Sequence, residues 1–331
     1  MKLKSEEIRR QSETAYKQWG KQWRSHAEIH KQFEMKSLED FRYVGMGKPV
    51  ILVGNGASLE EEIDTLIEYS GKVDIFCCDK TLGHLISRGI KVTYCMVCDA
   101  NVNYEKYMKP YENELQDTVL FQNICGNPEW TINGNWKDRY FFANKDILKS
   151  EEEFMGISGC KNAIPAATNV SGAMVVFMTQ SDERGRQNFF GYDKMLLVGF
   201  DYSWKLNGSY YAFDKQGDGK HNYMRHLIGY DRDGNLACTS NNLMFSAKWL
   251  SDYITAFNLP VVQCSNEGVT GIKVSKKLKD QIEYSFKEHN SEIAKELHNN
   301  IAEYSYKLNQ WQKRLGNILE DHELNMIKST V

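Results

Sequence analysis

Three aspartates stand where a parallel sheet would present them to a ligand. Asp79, Asp99 and Asp201 close the segments Phe76-Cys77-Cys78-Asp79, Met96-Val97-Cys98-Asp99 and Val198-Gly199-Phe200-Asp201, each an apolar run that reads as a strand. Open parallel sheets bind ligands beyond the carboxyl ends of their strands, so these carboxylates should ring one crevice. Capping of the following loop or helix is the other common use of Asp there. Upstream lies Val53-Gly54-Asn55-Gly56-Ala57-Ser58-Leu59, after one strand and before a helix. Gly54 and Gly56 permit a sharp turn and close approach of a ligand to the backbone. A helix start offers unpaired N–H groups and a positive dipole end, which suit a phosphate. Ser58 reads as an N-cap or a phosphate contact. The spacing is neither the dinucleotide G-x-G-x-x-G nor the P-loop, and a plain strand-to-helix turn shares the same local pattern.

A third chemical signal is the polar, aromatic, Gly-punctuated stretch from Lys205 to Thr239. We read a lid over about 203–240, because loops that long inside compact domains are usually functional. Around it fall Tyr202, Trp204, Tyr210, Tyr211, His221, Tyr223, Arg225, His226 and Tyr230. Histidine is the usual general base near neutral pH, and tyrosine can donate to a departing phosphate while staying neutral. Two other patterns carry less. Cys95-Met96-Val97-Cys98 has zinc-knuckle spacing, but on a buried strand side chains alternate faces. Asp231-Arg232-Asp233-Gly234-Asn235 resembles a metal-binding Asp-x-Asp and reads better as a turn.

These groups need a scaffold, and the chain supplies an α/β one. Residues 48–272 alternate apolar runs with helical patterns, the signature of a Rossmann-like, mostly parallel sheet with helices on both faces. Strands are expected at Val50–Val53, Val73–Cys77, Val92–Val97, Val119–Gln122, Tyr140–Phe142, Met195–Val198 and Val261–Cys264. Helices are expected at Leu59–Tyr69, Leu82–Arg88, Ala173–Ser181 and Leu243–Phe257. Residues 1–47 form a helical extension interrupted at Gly20, to be packed on the body or a second subunit. Residues 273–331 form a long helix or helical hairpin, whose apolar stripe from Leu278 to Ile318 should meet another helix. Both termini thus point to a homo-oligomer. Within 331 residues, 26% are charged, 41% are hydrophobic and the net charge is −3, an ordinary globular balance with no nucleic-acid footprint. No apolar run reaches the roughly 18 residues of a transmembrane helix. The N-terminus lacks the apolar core of a signal peptide, and eight cysteines in such a chain suggest a reducing cytoplasm.

Taken together, the motifs resemble those of a bacterial sialyltransferase family and of the wider motility accessory factor family, whose members glycosylate flagellin. Gly54-Asn55-Gly56-Ala57-Ser58-Leu59 is similar to a CMP-binding Gly-Asn-Gly-Pro-Ser-Leu loop, with Ala57 replacing Pro. Ser171-Gly172 matches a Ser-Gly segment that opens a helix near the donor sugar, and Val198-Gly199-Phe200-Asp201-Tyr202 matches a Gly-Ile-Asp-Phe strand end. Asn207-Gly208-Ser209-Tyr210-Tyr211-Ala212-Phe213-Asp214 is nearly identical to the sialyltransferase segment. His226-Leu227-Ile228-Gly229-Tyr230 looks like its His-Tyr-Ile-Gly-His. The resemblance covers roughly residues 48–270 and neither helical end. Asp79 and Asp99 stand where the sialyltransferases have asparagines, and Thr168 stands where they have an arginine.

The resemblance implies inverting transfer of a nonulosonic, sialic-acid-like sugar from a CMP-activated donor to a glycan or protein acceptor such as flagellin. It implies His226 as the base and Tyr211 as the contact to the leaving phosphate. Gly54, Asn55, Gly56, Ser58, Asp79, Asp99, Asn101, Ser171, Gly172 and Asp201 make up the nucleotide-sugar-binding set. No cofactor is required on this reading. If a metal such as Mg²⁺ is used, Asp79, Asp99 and Asp201 would hold it. Archaeal pterin diphosphokinases share the Gly-rich loop and strand-end aspartates, so Mg²⁺-dependent diphosphoryl transfer is the rival activity. A non-catalytic nucleotide-sugar-binding assembly module is the third reading.

Overall fold

A computed structural model describes residues 2–145, 149–180, 189–205, 210–213, 227–231, 234–265, 268–272 and 277–290. The chain divides into two compact units, Met1–Ile282 and Glu283–Val331. The first carries a sheet in which every strand is parallel to its neighbours: β1 (Pro49–Val53), β2 (Asp74–Cys78), β3 (Tyr94–Val97), β4 (Val119–Asn123), β5 (Asp138–Lys145), β6 (Ala163–Pro165), β7 (Lys194–Val198) and β11 (Val261–Gln263). Their order is β11-β7-β1-β2-β3-β4-β5-β6. The chain therefore builds outward from β1 to β6, then returns to place β7 on the other side of β1.

The expected α/β architecture is present, and its cause is visible in burial. Strands of a covered parallel sheet are apolar on both faces. In β1 all five residues are buried, and β2 to β4 are nearly as enclosed. Val50, Leu52, Phe76, Tyr94, Met96, Phe121 and Leu197 share one core with α7 (Val170–Thr179) and α8 (Asn241–Ala256). From Gly172 onward every residue of α7 is buried, as expected of a helix that is apolar all round. The alternate residues Ile51, Ile75, Cys77 and Cys95 are equally buried, and α3 (Asp79–Ile86) contacts β2 and β3. The helices α2 (Ile63–Tyr69), α4 (Tyr104–Tyr107), α5 (Glu129–Asn133) and α6 (Lys149–Ser158) lie in the other crossovers.

Several expectations need correction. The helix expected from Leu59 begins as a 3₁₀ turn at Ala57–Glu62, and only Ile63–Tyr69 is α-helical. Gly20 does not interrupt the N-terminal helix: α1 runs unbroken from Lys2 to His30. A Cβ at Gly20 would lie 2.9 Å from the Tyr16 ring, so the position is crowded by packing. α1 lies on the body of its own chain, with Tyr16 and Trp23 against Phe154 of α6. His30, fully buried, donates from Nδ1 to the Ile124 carbonyl at 2.8 Å, and burial lowers its pKa to about 4.

The stretch read as a lid loop contains a second sheet. β8 (Trp204–Lys205), β10 (Leu236–Thr239) and β9 (Leu227–Tyr230) pair antiparallel in the order β8-β10-β9. Asp231 and Asn235 close the β9–β10 turn: Asn235 N–H donates to Asp231 Oδ1 at 2.8 Å, and Gly234 takes φ +81°. The strand Ala163–Pro165 is also additional to those expected. Of the C-terminal helix, α9 (Leu278–Asn290) is described. The rest of the apolar stripe, from Ile293 to Ile318, lies outside the described residues.

Candidate functional site

The reversal of strand order at β1 opens a crevice between the loops after β1 and β7, the place where doubly wound sheets receive ligands. A cavity of about 410 Å³ occupies it. Asn55, Gly56, Asp79, Asp99, Ser171, Asp201 and Tyr211 all line this cavity, so most of the expected set converges. Gly54, Ser58, Asn101 and Gly172 are not among its lining residues, and His226 lies outside the described residues.

The wall between β1 and β7 is a closed hydrogen-bonded lattice. Gly54 N–H donates to Val198 O at 2.8 Å and Gly56 N–H to Gly199 O at 2.9 Å, extending the strand pairing into the loops. A Cβ on Gly56 would sit 2.5 Å from Asp201 Oδ2, so only glycine allows this approach. Asp201, itself 2% exposed, accepts the Ser58 N–H at 2.9 Å, the Ser58 hydroxyl at 2.5 Å and the Ser265 hydroxyl at 3.3 Å. Ser58 therefore points its hydroxyl at Asp201, and Gly56, with no side chain to cap, is the N-cap of the 3₁₀ turn.

The lid motif docks on the same loop. Ala212 N–H donates to the Asn55 carbonyl at 3.0 Å, and Phe213 N–H to Glu60 at 2.7 Å. Phe213 adopts the left-handed φ of 61° and lies under the Arg88 guanidinium, 3.9 Å from ring centroid. This seats Tyr211 in the cavity wall with the Lys80 ammonium 5.1 Å from its ring. Burial pushes the Tyr211 phenol above its ordinary pKa and holds Tyr210 at about 12, so both remain proton donors near neutral pH. Lys80 is the one Lys or Arg among the described lining residues. Sequence reasoning passed over it, although its place one residue beyond a strand-end aspartate was the available signal.

Across the cavity stands the start of α7. Asn169 caps it, accepting the Gly172 N–H at 2.8 Å, so Gly172 is held by the cap while Ser171 faces the cavity. Asn144 and Asn169 add amides to the lining and were also missed. Thr168 holds a buried hydroxyl without a partner among the described residues.

Asp79 and Asp99 form the wall beyond β2 and β3. Asp99 is exposed, and its Oδ1 accepts the Asn101 N–H at 2.8 Å. Asn101 turns outward: its Oδ1 accepts from Gln22 of α1 at 3.0 Å. Asp79 is 2% exposed. Its Oδ1 accepts the Lys80 N–H at 2.7 Å, while Oδ2 is buried with no partner among the described residues. Burial raises the Asp79 pKa to about 6, and the nearby Asp99 charge adds to the rise. Burial likewise raises the Cys78 and Cys98 thiols that share this wall.

A divalent cation would have little to hold it on the β7 side. Both Asp201 oxygens are engaged by Ser58, and among the described residues no three His, Cys, Asp or Glu side chains converge as a ligand set. Asp79 and Asp99 are the two carboxylates with capacity left. Among the described residues, no helix is long and apolar enough to cross a membrane.

No curated protein matches this chain. Among solved structures, the MAf glycosyltransferase from Magnetospirillum magneticum AMB-1 is similar at 10% identity and a TM-score of 0.48, over 81% of this chain and 41% of that one. This chain thus spans less than half the length of that protein. The family model described as 6-hydroxymethylpterin diphosphokinase MptE-like matches residues 21–206, from within α1 through β1 to β7 to the first lid strand. That match takes in more than half of the chain and both walls of the crevice, and the chain belongs to the MptE-like family.

Proposed function

We propose that this chain is a glycosyltransferase that moves a nonulosonic, sialic-acid-like sugar from a CMP-activated donor to a glycan or protein acceptor, by direct inverting displacement. The docking of the lid on the Gly-rich loop carries the reading. Ala212 N–H to Asn55 O sets Tyr211 at the loop that would hold the nucleotide phosphate, beside Lys80 of α3. As the glycosyl–phosphate bond breaks, negative charge grows on the departing phosphate. Lys80 and the Tyr211 hydroxyl would stabilise it, and preorganised donors of this type are typically worth about 10²–10³ in rate. His226, one residue before β9, would take the proton from the acceptor hydroxyl. The lid would keep water from the donor.

Transfer from a CMP-nonulosonic acid, followed by release of CMP, tests this directly. Tyr211→Phe is expected to lower kcat about 10²-fold and His226→Ala at least as much, with KM for the donor changed far less. Full transfer activity in His226→Ala would remove that residue from the mechanism.

The side-by-side Asp79 and Asp99, together with the family's name, favour one second reading: Mg²⁺-dependent diphosphoryl transfer from ATP to a hydroxymethyl group. Thermal unfolding with CMP or ATP, each with and without Mg²⁺, separates the two. A ligand at 100 times its Kd stabilises by about 2.7 kcal/mol. Stabilisation by CMP indifferent to Mg²⁺ supports glycosyl transfer; stabilisation only by ATP with Mg²⁺ moves the assignment to diphosphoryl transfer.

A further inference from the structure

The orphan oxygen of Asp79 says which part of a nucleotide faces β2. We infer that Asp79 Oδ2 accepts a hydrogen bond from the ribose 2′-hydroxyl of the bound nucleotide and so makes the site selective for ribonucleotides over 2′-deoxyribonucleotides. This rests on the proposal that the crevice binds a nucleotide.

The two oxygens of the Asp79 carboxylate are not equivalent. One oxygen is fixed by the Lys80 N–H at 2.7 Å, which pins the side chain at the first turn of α3. The other is buried and meets no donor among the described residues, in a residue that lines the cavity. A buried acceptor without a partner is costly, so a ligand that supplies a donor gains what the free protein lacks. The missing group must be an N–H or O–H. It is not a phosphate oxygen, which a carboxylate repels and for which Lys80 and the Gly54–Gly56 turn are the better partners.

Topology then selects the donor. β1 and β2 are parallel neighbours, with Val53 paired to Cys77. The Gly-rich turn leaves the end of β1, and Asp79 follows the end of β2. In dinucleotide-binding sheets, whose glycine spacing differs from that of Gly54 and Gly56, an acid about 20 residues beyond the Gly-rich turn takes a ribose hydroxyl while the pyrophosphate rests by the turn. Asp79 stands at about that separation from Gly56 and on the adjacent strand. With the phosphate on the turn and beside Lys80, the ribose of the same nucleotide falls between β1 and β2. The sugar or base then extends toward Asn169 and Ser171 on the far wall.

Titration calorimetry of the full chain with CMP, 2′-deoxy-CMP and 3′-deoxy-CMP tests the inference, and ATP with 2′-deoxy-ATP gives the parallel pair. CMP is expected to bind about 10–100-fold more tightly than 2′-deoxy-CMP, the range for a hydrogen bond to a charged acceptor. 3′-Deoxy-CMP should bind close to CMP. In Asp79→Ala, CMP should weaken to the level of the deoxy ligand, and the two should become indistinguishable. Equal affinity of CMP and 2′-deoxy-CMP for the natural chain overturns the inference while leaving the glycosyltransferase proposal standing. Binding of ATP in place of CMP has the opposite meaning: the donor assignment falls, and the ribose assignment is then decided by ATP against 2′-deoxy-ATP. A preference for the 2′-hydroxyl that survives in Asp79→Ala also overturns it. Because the ribo-to-deoxy ratio is read first on the natural chain, the test holds even if the variant folds poorly.

Discussion

The two walls of the crevice contain the same residue type at the same kind of position, and they use it in opposite ways. On the β7 side, Asp201 is buried under three donors from Ser58 and Ser265 and holds the Gly-rich loop in place. On the β2 side, Asp79 is just as buried but has one oxygen engaged and one without a partner. Strand-end position is thus shared by a carboxylate that shapes the site and one that still has bonding capacity toward a ligand. What separates them is the hydrogen-bond inventory, and each removal should reveal the difference.

The largest effect is expected from Asp201→Ala. It leaves the Ser58 N–H and hydroxyl and the Ser265 hydroxyl buried without their acceptor, a loss of about 3 kcal/mol or more in unfolding free energy. The urea midpoint should fall with an unchanged slope, and ligand binding should go with the loop. A variant as stable as the natural chain would erase the distinction between the two walls.

Asp79→Asn should move stability the other way. The folded-state pKa of Asp79 is raised from 3.8 to about 6. The native chain therefore holds that proton more tightly than the unfolded chain does. The resulting stabilisation is complete below about pH 4, is lost as pH rises through about 6, and stays lost above it. An asparagine carries no such pH dependence. The variant should gain up to about 3 kcal/mol on the natural chain at pH 8, and the gap should close toward pH 4. Denaturation curves at the two pH values check both the sign and the window.

Lys80→Met is the mildest case. It should weaken CMP binding about 10-fold by removing a charge-assisted contact to phosphate, while stability changes by no more than about 0.5 kcal/mol. Calorimetry with CMP and with cytidine sharpens the point, because the nucleoside should not register the substitution.

The sheet was legible because its strands are buried on both faces and read as apolar runs bounded by turns. Ala163–Pro165 was not, being a three-residue edge strand that ends in proline. Among the lid strands, β9 escaped because Leu227, Ile228 and Tyr230 are exposed, so no alternation of burial marks it, and β8 because it has only two residues. At the site, the loop, the strand-end aspartates and Tyr211 followed from position and resemblance. The division of labour between Asp79 and Asp201 did not. Ser58 lies 143 residues from Asp201 in sequence and Ser265 lies 64 residues from it, so that pairing exists only once the sheet has folded. Lys80 was overlooked because a lone lysine at a helix start carries no pattern of its own.

Among the described residues, the segment around Tyr211 meets the Gly-rich loop through the Ala212 main chain, whose N–H donates to the Asn55 carbonyl. A main-chain latch is indifferent to what most neighbouring codons encode; proline at 212, which lacks the N–H, is the exception. Most substitutions beside Ala212 would therefore leave that hydrogen bond in place.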